Sequence, residues 1–247
     1  MKEIMQQFIK PPREYSPTPI WWWSGEELNI ERLKWQMDRF AEGGVYNLIV
    51  MNLAPTGPGA GSDPDNPRFL SEAWWAIFDQ VCQYASEKGM GIYFYDQIGF
   101  SGANLQGELV RECSEYAGQS IEAVIAEGSG ELIAVCPSGG IPLTAVDVPL
   151  NEQGTMSGDP VTVPIAEGQA VSALPGRHRL RLVYAIKRNF DYLSPEACHR
   201  LLQVLHGQME QRLSRWFGQV IVGSFQDELP SMPTWSASFA EQFRARL

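Results

Sequence analysis

The sequence has no apolar run approaching the roughly 18 residues that a transmembrane helix needs. It is also short of positive charge: 19 Lys and Arg stand against 29 Asp and Glu, a net charge of −10. A reader of the nucleic-acid backbone carries a basic footprint, and anionic membranes attract basic faces, so neither nucleic acid nor membrane is an expected partner. Cysteine is sparse. Cys82, Cys113, Cys136 and Cys198 are scattered with no CxxC pair, which points to reduced thiols rather than a zinc site. The three histidines form no HExxH pair. Neither a G-x-S-x-G elbow nor a G-x-x-x-x-G-K-[ST] loop occurs, so a serine-elbow hydrolase and a P-loop enzyme are both disfavoured. The opening MKEIMQQFIKPPREY lacks an apolar h-region and a small-residue cleavage site, and a cytoplasmic location is the expectation. With 44% hydrophobic and 19% charged residues, a disordered chain is excluded.

What is present reads as β/α units. A length of 247 residues suits one α/β barrel or two ordinary domains. Ile20-Trp21-Trp22-Trp23, then 45–53 (VYNLIVMNL) and 91–95 (GIYFY) are continuous apolar runs, the pattern of strands buried on both faces of a parallel sheet. Helices follow the first two. Asn29 caps one, with Ile30, Leu33, Met37 and Phe40 at helical spacing; Ser71 caps the next, with Trp74, Phe78, Val81 and Ala85 on one face. Between them, 54–69 is a long Gly/Pro/Asp loop whose Asp63 and Asp65 could touch a cation.

After a helix around 105–116 the periodicity changes. Residues 119–182 are rich in Gly, Pro, Val and Ile and read as short antiparallel strands between turns. The β/α pattern is then expected to resume: a strand at 180–186, a helix opened by Ser194-Pro195-Glu196, a strand at 220–225, and a last helix from Trp235. The fold expectation is therefore α/β: a partial or incomplete (β/α)8 TIM-type barrel with a β-rich antiparallel insertion. Residues 1–117 supply the first units, 118–180 the insertion and 181–247 further units.

Sites in such folds lie at the C-terminal ends of the strands. The polar or aromatic residues there are Trp23, Asn52, Asp96 and Gln97, Asn189 and Asp191, and Asp227 with Glu228. Two adjacent acids after an apolar strand are the sharpest signal, since a carboxylic acid there can protonate a leaving-group oxygen. Trp23, nearest its strand end, could stack on a sugar ring, and Asp96 could bond a substrate hydroxyl. Each also has a structural alternative: an acid pair capping a loop, a turn residue, a packed indole. No metal ligand set is expected.

The ordered series PIWWWSG, AEGGVYNLIVMN, SEAWWAIFDQVCQYASEKGMGIYFYDQIGFSGAN and FDYLSPEACHRLLQVLHGQMEQRLSRWFGQVIVGSFQDELPSMPTWSASFAEQF resembles the family 106-type α-L-rhamnosidases and their relatives. It differs in having Leu229 between the acid pair and Pro230, and Ser24 where that group usually has Asn. The resemblance implies a glycoside hydrolase acting on a plant or bacterial polysaccharide or glycoside, with an α-L-rhamnoside as one candidate. It implies Glu228 as the catalytic carboxyl, Asp227 orienting it or binding substrate, and Trp23, Asn52, Asp96, Gln97, Asn189 and Asp191 holding the sugar. No cofactor is implied, and calcium, present in some of that group's sites, is left open. The second carboxyl that such enzymes need is expected on a later strand. About five barrel strands are expected where a closed barrel has eight. The expectation is thus an N-terminal part of a barrel, completed by a downstream domain or a partner chain. The alternative is a non-catalytic carbohydrate-binding or degenerate barrel protein.

Overall fold

The structure, a computed structural model, describes residues 2–9, 11–55, 65–229 and 235–246. Most of the loop expected over 54–69, Asp63 included, and Pro230 lie outside the described residues. The chain divides into two compact units: Met1–Leu109 with His199–Ser231, and Val110–Cys198 with Met232–Leu247.

The first unit begins with α1 (Lys2–Ile9), β1 (Ile20–Trp23), α2 (Ile30–Glu42), β2 (Asn47–Asn52), α3 (Glu72–Lys88), β3 (Gly91–Tyr95) and α4 (Leu105–Glu112). The capping chemistry sets the helix starts. Asn29 accepts from the Glu31 and Arg32 amides, and Ser71 from the Trp74 amide. Gly89, in the left-handed region at φ 64°, ends α3, a conformation that costs glycine nothing.

The second unit is built on β4 (Ala117–Ser129), β5 (Leu132–Val135), β6 (Gly140–Pro149), β7 (Val161–Val163), β8 (Ile165–Ala166), β9 (Gln169–Ser172) and β10 (Arg177–Phe190). Helix α5 (Pro195–Leu202) carries the chain from this unit back into the first. A π-helical turn at Gln203–Gly207, α6 (Gln208–Leu213) and β11 (Ile221–Phe225) follow there. The short α7 (Phe239–Arg244) belongs to the second unit.

The sheet of the first unit is four-stranded and wholly parallel, in the order β1-β2-β3-β11. Alternation along its strands sorts the side chains. Trp21, Trp23, Leu48, Val50, Asn52, Ile92 and Phe94 share one face. Trp21 and Trp23 meet at 5.4 Å edge to face, and Trp23 lies 6.0 Å from Trp74 and 5.7 Å from Phe78 of α3. Such aromatic pairs add about 0.5–1.5 kcal/mol each beyond their area. Ile49, Met51 and Tyr95 lie on the other face, packed with Leu53, Ile20, Tyr93, Phe100 and Phe225. Ion pairs tie α3 to the α6 segment: Arg212 meets Glu72 at 2.6 and 2.8 Å, Arg215 pairs with Asp79, and the Trp216 indole donates to Asp79 at 2.7 Å.

The second unit has two antiparallel sheets, β4-β10-β6-β7 and β5-β9-β8. Its core is Ala134, Ala145, Val163, Ala170, Leu180, Leu182 and Tyr184. One expectation is corrected here. The strand read at 180–186 as a barrel strand is the middle of β10, paired antiparallel with both β4 and β6. The physical reason lies in its pattern. Arg177, Arg179 and Arg181 alternate with the buried His178, Leu180 and Leu182, the signature of a strand with one solvated face. The fold is therefore mixed α/β, with one parallel sheet and two antiparallel ones. No closed barrel forms among the described residues, and four strands, not five, lie in the parallel sheet.

Candidate functional site

Strands β3 and β11 run side by side and end together, with Phe225 opposite Tyr95 and their rings 5.8 Å apart. Two residues beyond Phe225, the Tyr95 hydroxyl donates to Asp227 Oδ2 at 2.9 Å. The Glu228 amide donates to Asp227 Oδ1 at 2.8 Å. Asp227 is therefore held at both oxygens. Burial, the bond to Asp227 and the charges of Asp227, Asp96 and Glu228 push the Tyr95 phenol well up, so it stays protonated and donates. Glu228 is exposed, and its carboxyl makes no hydrogen bond or ion pair among the described residues.

The loop after β3 is fixed from within. The Asp96 amide donates to Phe225 O at 2.9 Å, and its carboxylate accepts from the Ile98 amide at 2.9 Å. Gln97, in the left-handed region at φ 59°, accepts from Ser101 Oγ and the Ala103 amide, each at 3.0 Å, and donates to Asn52 O at 3.3 Å. The Gln106 amide group of α4 donates to Gln97 O at 2.6 Å and to Ile98 O at 2.7 Å. At Gly99 the loop lies against the acidic segment: a Cβ there would fall 2.4 Å from Asp227 O and 2.7 Å from Glu228 O. Both contacts are to backbone and cannot be relieved by a side-chain rotation. Gly99→Ala is expected to displace residues 227–228 and to cost about 1–3 kcal/mol, the range for overpacking. A urea melt within about 0.3 kcal/mol of wild type would show that the close approach is absent.

Asp96 directly follows β3 and lies near enough to His206 for the two groups to interact electrostatically. Burial raises its carboxyl above the usual range, against the opposing pull of the Ile98 amide and His206. His206 rides on the π-helical turn, with its ring 5.1 Å from that of Phe94. Burial lowers its basicity, and Asp96 acts in the other direction. A carboxyl raised in the fold binds more protons folded than unfolded above its ordinary value of 3.8. Its ionisation therefore costs stability at neutral pH, and that cost fades as pH falls through the raised value toward 3.8. Asp96→Asn keeps the acceptor for the Ile98 amide and removes the buried charge. It is expected to raise Tm at pH 7, with the gain shrinking at acid pH. A gain that grew on acidification would contradict this.

The other sugar-binding expectations fare differently. Trp23 is 2% exposed and enclosed by Trp21, Trp74 and Phe78, so it offers no free face for a ring. Alternation turns Trp22 to the opposite side, where it is 53% exposed. Asn52 is buried, with its Oδ1 accepting from the Trp74 indole at 3.1 Å and its Nδ2 donating to Leu53 O at 2.8 Å. Gln97 is likewise spent on its own loop. For Trp23, Asn52 and Gln97 internal partners thus replace the expected sugar contacts. Asn189 and Asp191 lie in the second unit. Asn189 is exposed at φ 48°; Asp191 is buried and accepts from the Leu193 amide at 2.9 Å, which makes it a turn residue. Tyr95 was missed because a tyrosine closing an apolar run reads as core.

Among the described residues no group of three or more His, Cys, Asp or Glu is arranged to hold a metal ion. No described helix is long and apolar enough to cross a membrane. No protein-family model matches the chain, and no curated protein matches it by sequence. Among solved structures it is similar to the rhamnosidase from Novosphingobium sp. PP1Y, at 8% identity and a TM-score of 0.37, over 74% of this chain and 27% of that one. The chain thus spans about a quarter of that protein's length.

Proposed function

We propose that this chain carries part of the catalytic domain of a glycoside hydrolase, its parallel sheet being a segment of a (β/α) barrel. Glu228 is the catalytic carboxyl of that reading and Asp227 the residue that orients it. The observation that carries it is the acid pair beyond β11, in which Asp227 is clamped by Tyr95 and the Glu228 carboxyl is left without a partner among the described residues. A carboxyl so placed can pass a proton to the glycosidic oxygen as the C–O bond breaks, leaving an oxocarbenium-like sugar. The sequence resemblance supplies the substrate class, a plant or bacterial glycoside, with an α-L-rhamnoside as the first candidate. A downstream domain or a partner chain would supply the opposing carboxyl and the remaining strands.

A second reading is a carbohydrate-binding protein without catalysis. Asp96 favours it, since this nearby buried carboxyl is engaged by the Ile98 amide and makes no bond to the acid pair among the described residues. The two readings separate on a panel of glycosides with unactivated leaving groups, alkyl and disaccharide α-L-rhamnosides included, because these need the proton that Glu228 would give. Turnover by the chain joined to the domain or partner that completes it, and removed by Glu228→Gln, supports the first. Sugar binding with no turnover, indifferent to Glu228→Gln, supports the second.

A further inference from the structure

A cavity of about 520 Å³ lies in the first unit, between the end of β2 and the N-terminal ends of α3 and α4. It is within the range of small-ligand pockets, roughly 300–1,000 Å³. Ala54, Phe69, Leu105 and Val204 give it apolar walls, and Asp65, Arg68, Ser71 and Glu108 give it polar ones. Neither Asp227 nor Glu228 lines it.

Three features bear on its ligand. Arg68 shares the wall with two carboxylates yet forms no ion pair or side-chain hydrogen bond among the described residues. It is near enough to Asp65 to oppose the upward shift that burial gives that carboxyl. The Glu108 carboxyl is equally without a bond among the described residues, and Asp65 spends one oxygen on the Phe69 amide at 3.2 Å. Leu70, also in the wall, is held at φ 62°, a conformation a branched side chain rarely adopts. A metal ion is a poor fit, because no group of three or more His, Cys, Asp or Glu gathers there among the described residues. A wholly neutral sugar leaves the guanidinium charge unused. A ring bearing both hydroxyls and one carboxylate uses every group: the planar guanidinium takes the carboxylate bidentately, and Asp65 and Glu108 accept from hydroxyls.

We infer that this cavity is a subsite for an acidic sugar, a hexuronate unit of the glycan, with Arg68 as its specificity residue. The inference rests on the glycosidase reading for its ligand class, but its test reads binding rather than turnover. Glucuronate, galacturonate, glucose and galactose are titrated into the full chain and followed by calorimetry. The expected result is that a uronate binds and the neutral hexoses bind at least ten-fold more weakly. Arg68→Gln should cost the uronate ten-fold or more, while Arg68→Lys, which keeps the charge and loses the fork, costs it less. Circular dichroism of each variant checks that the fold is intact. Glu228→Gln, outside the cavity, should leave this binding unchanged even where it abolishes hydrolysis, so loss of turnover alone bears only on the glycosidase reading. Equal binding of neutral and acidic sugars would overturn the inference. So would uronate binding indifferent to Arg68→Gln, or no binding by any of the four.

Discussion

Asp147→Ala is expected to cost about 3–5 kcal/mol, the range for breaking a buried ion pair from one side, and to destabilise the second unit. Asp147 and His178 are each fully buried, on β6 and β10, with Oδ2 and Nδ1 2.7 Å apart. The other ring nitrogen lies 2.8 Å from Gly130 O in the β4–β5 turn. A carbonyl only accepts, so Nε2 carries a hydrogen. One further proton lies between Nδ1 and the carboxyl, and the pair is neutral as a whole. The ring thus joins two strands and a turn at a place where water does not reach. Without the carboxyl, a buried ring nitrogen is left unpaired beside a cavity. Asp147→Asn should do far less harm, because its amide can donate to Nδ1 while Nε2 still donates to Gly130. Since domain stabilities run about 5–15 kcal/mol, the alanine variant should lose much of the amide-exchange protection of β4, β6 and β10 and the asparagine variant little. If the two variants exchange alike, the bond pattern is not what holds this core.

The inner strands of the parallel sheet were legible because they are largely buried on both faces and so write themselves as unbroken apolar runs; β2 is buried at every position, while the edge strands β1 and β11 leave Trp22 and Val222 exposed. β10 was misassigned although its signal was present. Its alternating arginines describe a one-sided strand, but Leu180–Ile186 read alone looks like another apolar run. The error over Trp23 has the same root. Position at the strand end suggested exposure, whereas the pleat decides which of three adjacent indoles faces out, and a run of identical residues carries no period to read. Asp227 and Glu228 could be singled out because two adjacent acids follow directly on an apolar run. Their partner Tyr95 lies 132 residues away, and His178 and Asp147 are 31 apart. Such pairings follow from topology and register, which no local pattern encodes. The π-helical turn at Gln203–Gly207 shifts the phase of its helix and brings the His206 ring against Phe94, a contact that regular helical spacing does not reveal.

The largest functional effect is expected at Glu228. A positioned general acid contributes roughly 10²–10⁴-fold, so Glu228→Gln should lower kcat for glycoside hydrolysis by that factor while KM changes little. Glutamine keeps the size of the side chain and removes only the proton it can transfer, which makes the variant a test of chemistry rather than of packing. Tyr95→Phe supplies the contrast. It deletes the hydroxyl that holds Asp227 Oδ2 at 2.9 Å and leaves the ring on Phe225. Asp227 then keeps only the Glu228 amide, and the acid pair loses its fixed geometry. A loss about ten-fold or smaller is expected, because positioning is impaired while the proton donor remains. The leaving group separates the two further. An activated aryl glycoside needs little protonation, so it should rescue Glu228→Gln in large part, whereas poor positioning slows every leaving group alike and Tyr95→Phe should gain nothing. Equal rescue of both variants would remove Glu228 from the role of proton donor and place it, with Asp227, among the residues that only shape the end of β11.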